Sequence, residues 1–125
     1  MKSEREILND LSFYSGTEEY HKIPFSDIVY TDGINNLINL CECHWLISDT
    51  AIFMTNEKGN NNILRGEEFL ILKIKVNEDR TAEVTLRTDT DEKNLYFKKY
   101  LWTDFPLKEY EFYIVSKVML LKGEY

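Results

Sequence analysis

Two cysteines and a histidine crowd one short stretch, Cys41, Cys43 and His44 in C-E-C-H, and His21 is the only other histidine. These side chains could bind zinc, which takes four donors converging as a tetrahedron. The spacing argues against it. On a helix, residues two apart point to nearly opposite sides, so Cys41 and Cys43 diverge unless the helix breaks between them. Cys41 fits better as a small buried hydrophobe. A cysteine nucleophile needs a depressed thiol pKa and a histidine held by a third group. Here His44 is merely adjacent to Cys43, and Glu42 beside both opposes a thiolate. The chain also carries no glycine-rich phosphate loop, nucleophile elbow or H-E-x-x-H. We therefore expect no metal site, no cofactor and no catalytic residue.

The carboxylates are the next candidates. Asp49 stands inside the apolar run W-L-I-S-D-T-A-I, and a buried carboxylate must be paired or hydrogen-bonded. Asp32, Asp49 and Asp104, with His44, are the residues that a ligand pocket or small active site would use. The plainer reading places each aspartate at a helix cap or facing water. Asp89, Thr90, Asp91 and Glu92 resemble half of a calcium loop but lack the glycine and distal glutamate that follow in an EF-hand, so a solvated turn is expected.

Aromatic residues offer a different chemistry. Tyr96, Tyr100, Trp102 and Tyr113 are expected on the sheet face turned away from the helices, beside Lys73, Lys75 and Arg87. Tyrosine and tryptophan among basic residues have the composition of protein-interface hot spots. A stacking platform for single-stranded nucleic acid shares these ingredients but needs a positive groove.

The elements that must position these groups follow from periodicity. Ser3 and Glu6 form a capping box before a short helix to Leu11, whose apolar edge is Ile7, Leu8 and Leu11. Tyr20 to Ile23 reads as a short extended piece before Pro24. Thr31 or Asp32 caps the central helix, with Ile34, Leu37, Ile38 and Cys41 at i, i+3, i+4, i+7. From Trp45 to Met54 the chain is apolar nearly all round, as in a helix buried on most sides. Residues 56–62, N-E-K-G-N-N-N, read as a loop. The period then becomes two. Leu70, Leu72, Ile74 and Val76 share one face, as do Ala82, Val84 and Leu86, then Leu95, Phe97 and Leu101. Tyr110 to Val115 and Val118 to Leu121 are the last strands, joined tightly through Ser116 and Lys117. Helices first and strands after predict an α+β fold, with N-terminal helices packed on one face of a C-terminal antiparallel meander of about four to five strands. One domain is expected over residues 1–125, helical over 1–55 and sheet over 68–121.

The totals narrow the function. With 22 acidic and 15 basic residues the net charge is −7, which repels phosphate backbones and anionic lipid. No direct nucleic-acid or membrane contact is expected. No run approaches the ~18 apolar residues of a membrane span, the N-terminus lacks a signal-peptide core, and two close cysteines make no disulfide framework. The cytoplasm is the expected compartment.

Five short motifs occur in order: Gly16-Thr17-Glu18-Glu19-Tyr20, Tyr30-Thr31-Asp32-Gly33, Trp45-Leu46-Ile47-Ser48-Asp49, Trp102-Thr103-Asp104-Phe105-Pro106-Leu107 and the closing Glu124-Tyr125. Together they resemble a family of small bacterial proteins known only as a domain of unknown function, patterned G-T-E-x-Y, Y-T-D-G, W-L-[IL]-D, Y-T-D-F-P-L and E-Y. The chain departs from that pattern in placing Ser48 before Asp49, and in Cys41, Cys43 and His44 at the helix junction. The resemblance implies a phage or mobile-element setting and no particular activity.

The expectation is a small, acidic, non-enzymatic protein-binding module. Its sharper form is an anti-defence inhibitor of the anti-CRISPR type, whose acidic residues Glu78, Asp79, Asp89, Asp91 and Glu92 occupy a host nuclease's nucleic-acid channel. The rival is a ligand binder or enzyme using Asp32, His44, Asp49 and Asp104. A homodimer through the aromatic face is the other partner weighed.

Overall fold

The computed structural model of the chain describes residues 3–55, 69–88 and 96–125. Helix α1 (Glu4–Leu11) starts at the expected capping box: Glu6 N donates to Ser3 Oγ at 3.2 Å and Ser3 N to Glu6 Oε1 at 3.3 Å. It buries Ile7 and Leu11 and leaves Leu8 exposed. Helix α2 (Asp32–Cys41) buries the stripe read from the sequence, Ile34, Leu37, Ile38 and Cys41. It stops at Glu42, whose φ of +51° is left-handed and whose N–H bonds Ile38 O. A non-glycine residue accepts that conformation at a cost of about 1–2 kcal/mol. The break lets helix α3 (His44–Thr55) leave in a new direction, so both Cys41 and Cys43 turn inward.

Seven strands form one sheet: β1 (Tyr20–Lys22), β2 (Val29–Thr31), β3 (Phe69–Val76), β4 (Ala82–Arg87), β5 (Tyr96–Tyr100), β6 (Glu109–Val115) and β7 (Val118–Leu120). Their order is β1-β2-β7-β6-β3-β4-β5. The α+β class and the order of helices and sheet strands agree with the sequence reading, but a meander of four to five strands does not. The N-terminal half supplies β1 and β2, and β2 joins β7 in parallel through Val29↔Val118 and Tyr30↔Met119. Strand β3 is an interior strand, antiparallel to both β4 and β6. Between β6 and β7, Ser116 and Lys117 have φ of +48° and +68°, the double positive φ of a type I′ hairpin.

Alternation along the strands separates two faces. Leu70, Leu72 and Ile74 of β3, Val84 and Leu86 of β4, and Phe112 and Ile114 of β6 meet α2 and α3 residues such as Leu37, Leu46 and Ile47 in the core. Each aliphatic side chain so buried contributes about 1.5–3 kcal/mol relative to exposure. No helix among the described residues is long and apolar enough to cross a membrane. The loop expected at 56–62 lies outside the described residues, as do Asp89, Asp91 and Glu92.

Candidate functional site

Edge strand β5 departs from the expected phase. Its register sets Tyr96 opposite Leu86, Lys98 opposite Val84 and Tyr100 opposite Ala82, on the helix side. Tyr96 packs on Phe53 at 4.1 Å between ring centroids, and Tyr100 meets Trp45 edge-on at 4.8 Å. Tyr96 and Tyr100 therefore face α3, not away from it, and Phe97 (56% exposed) and Leu101 (84%) lie outside the core. The reason is the partner. At a sheet edge, tyrosine and lysine lay their apolar bodies along a helix while their polar ends reach out. Here the ends reach Asp49 of α3: Tyr100 donates to Asp49 Oδ2 at 2.6 Å and Lys98 Nζ lies 3.2 Å from the same oxygen. Burial, and then the bond to Asp49, push the Tyr100 phenol up from its ordinary pKa; burial and the Asp49 charge do the same for Tyr96.

Beyond β5 the chain runs extended through Trp102-Thr103-Asp104-Phe105. Thr103, Phe105 and Leu107 are buried, and Trp102 and Asp104 stand out between the anchors. Arg80 holds this segment. Its Nε donates to Thr103 O at 3.0 Å, its second guanidinium nitrogen to Phe105 O at 2.8 Å, and its own carbonyl accepts from Thr103 N at 2.9 Å. The Thr103 hydroxyl accepts from Phe105 N at 3.1 Å. Trp102, Asp104, Thr103, Tyr100 and Trp45 together line a cleft of about 270 Å³. Asp104 makes no hydrogen bond or ion pair among the described residues. Glu78 and Asp79 are exposed on the β3–β4 turn that carries Arg80. Asp79 is held below the usual carboxylate range by the Thr81 hydroxyl and backbone N–H.

A wider cleft of about 410 Å³ lies between the end of α1 and β6, but its charges satisfy one another. Lys122 Nζ is 2.6 Å from Glu111 and Lys73 Nζ is 3.8 Å from Glu109. Tyr113 is on the far sheet face as expected, apart from the other three aromatic candidates, in a cluster with Phe69 and Tyr125.

The four pocket candidates do not converge. Asp49 bonds β5, and His44 Nδ1 meets Ser48 Oγ of its own helix at 3.1 Å. Asp32 sits at the start of α2, with Oδ1 3.0 Å from His21 Nε2 and Oδ2 accepting Glu18 N at 3.0 Å. These bonds, His21 first, hold its carboxyl below the usual range. No hydrogen bond among the described residues joins any two of the four. Cys41, Cys43 and His44 belong to no group of three close donors among the described residues: Cys43 Sγ donates to Leu37 O at 3.6 Å, and burial pushes the Cys41 thiol up to about 12 and raises Cys43 too. Among the described residues, Glu19, His21 and Asp32 are the group whose donor atoms come close enough for a metal, within 4.8 Å. They stand at the positive end of α2, which disfavours a cation, and His21 and Asp32 already satisfy each other.

That helix start explains motifs the sequence presented without a role. Three orphan N–H groups open α2 and all are met: Asp32 N by Thr17 Oγ1 at 2.9 Å, Gly33 N by Glu124 Oε2 at 3.2 Å and Ile34 N by Thr31 Oγ1 at 3.3 Å. Thr31 donates in turn to Glu124 Oε1 at 2.6 Å, and Leu121 N donates to the same oxygen at 2.9 Å. Trp45 lines the cleft, and Lys98 and Arg80 support its walls through Asp49 and the Thr103 and Phe105 carbonyls; local pattern singles out none of the three. Only the W-L-I and W-T-D-F-P-L motifs marked their neighbourhood.

The chain belongs to the DUF6876 family of unknown function, whose family model matches residues 5–125. No curated protein and no solved structure matches it.

Proposed function

We propose that this family member is a protein-binding module whose contact surface centres on the Trp45–Tyr100–Trp102 cleft. The observation that carries the reading is the exposure of Trp102 (67%) beside Leu101 and Phe97 on a segment locked in place by Arg80. A rigid, exposed tryptophan beside a cleft is the composition of an interface anchor, since little ordering entropy is lost on binding. Asp104 lines it, Glu78 and Asp79 are exposed on the turn whose Arg80 holds the segment, and the net charge of −7 favours a basic partner surface. In its finer form the partner is the nucleic-acid-binding surface of a host defence nuclease, met in a phage or mobile-element setting. The free thiols of Cys41 and Cys43 suit a reducing cytoplasm, where such a target would be found.

The test is affinity capture from host lysate at low and physiological salt, with wild type beside Trp102→Ala and a Glu78→Lys, Asp79→Lys, Asp104→Lys triple variant. One dominant protein, weakened by salt and lost with either variant, supports the reading. A partner retained equally by both variants would place the interface elsewhere. Self-association on a sizing column, lost with Trp102→Ala, would make the partner a second copy.

A further inference from the structure

We infer that the cleft is a receptor for an arginine side chain. The inference rests on the protein-binding reading and names what the partner inserts. At about 270 Å³ the cleft sits at the small end of the ~300–1,000 Å³ of sites for drug-sized ligands and cofactors, with room for one side chain. Its walls are Trp45, Tyr100 and Trp102, whose ring faces carry the negative potential that attracts a cation. The Tyr100 ring already attracts a cation within the molecule, where Lys98 Nζ lies 5.0 Å from its centroid.

The two nearby carboxylates have different roles. Asp49 is neutralised by Lys98 and occupied by the Tyr100 hydroxyl, so it orders the wall. Asp104 lines the cleft with no partner among the described residues, so its charge is available to a guest. Aromatic faces with one free carboxylate favour guanidinium over ammonium. Guanidinium is planar, stacks on rings, is more weakly hydrated and presents paired donors to a carboxylate, whereas ammonium is a compact, strongly hydrated point charge. Arg80, which fixes Thr103 and Phe105, spends its donors on backbone carbonyls and so positions the cleft without filling it.

The chain has two tryptophans, Trp45 and Trp102, and both line this cleft, so intrinsic tryptophan fluorescence reports on it alone. The experiment titrates the full chain with N-acetyl-arginine amide, and in parallel with the neutral analogue N-acetyl-citrulline amide and with N-acetyl-lysine amide. Saturable change is expected with arginine in the millimolar range, weaker with lysine and absent with citrulline. Asp104→Asn should weaken arginine binding about fivefold and Trp102→Leu about tenfold. Both residues are exposed, so far-UV circular dichroism should show unchanged folds. Equal response to citrulline and arginine, or no saturable response to arginine, overturns the inference. If lysate capture still depends on Trp102 in that case, the protein-binding reading stands and only the arginine receptor falls.

Discussion

Gly33 and Glu124 form a clasp whose energetics can be tested by a change of sign. A Cβ built at Gly33 would collide with Glu124 Oε1 and stand 2.8 Å from Leu121 Cδ1. Gly33→Ala must therefore expel the carboxylate, breaking its bonds with Thr31 Oγ1, Gly33 N and Leu121 N. A hydrogen bond to a charged group is worth about 1.5–3 kcal/mol, but Glu124 is half-buried and regains water, so about 1 kcal/mol each is the fair figure. Alanine returns up to about 1 kcal/mol as a better helix former. The net loss is about 2 kcal/mol, read from urea unfolding followed by circular dichroism at pH 7. In a Glu124→Ala background the clasp is already gone, and the Leu121 methyl can rotate away. Gly33→Ala should then stabilise by about 0.5–1 kcal/mol. The same sign and size in both backgrounds would refute the clasp.

Two further outcomes follow from burial. Cys41 and Cys43 should resist a thiol reagent at pH 7–8 in the folded protein, because burial raises both and takes Cys41 to about 12; labelling that does not track unfolding in urea would contradict this. Burial also holds the Tyr110 hydroxyl up to about 12, and Tyr100 is raised further by its bond to Asp49. The folded chain then binds more protons than the unfolded one above pH ~10, so stability is full below that and falls as pH rises toward ~12. Ultraviolet titration should show Tyr110 and Tyr100 ionising after the exposed tyrosines; a single ordinary transition for all eight would contradict it.

How much of this was legible in the sequence depends on how local the cause is. The Ser3–Glu6 box, the α2 stripe and the β3 alternation are local, and each element formed where its pattern lay. Strands β1 and β2 have three residues each, too few for alternation to show, and what makes β2 a strand is β7, far along the chain. The helix break at Glu42 has no glycine to announce it. Apolar alternation alone puts strand β5 in the wrong phase, because its core-facing residues are amphipathic while the more apolar Phe97 and Leu101 lie outside the core. The cleft joins residues from α3, β5 and the segment after it. The motifs naming them were visible, and their convergence was not.

The parallel pairing of β2 with β7 also sets an order of events. The Thr31–Glu124 bond joins residues 93 positions apart in the chain, and β2 has no second neighbour until Val118–Leu120 has been made. Loop closure over that length is entropically costly before any contact rewards it, so topologies of this kind fold slowly. During synthesis, β1, β2 and the start of α2 must wait with an unpaired edge exposed while β3 to β6 emerge and pair. Consolidation of the N-terminal third is therefore a late step, and the β2 edge is where a stalled or truncated chain would be open to aggregation or to a chaperone.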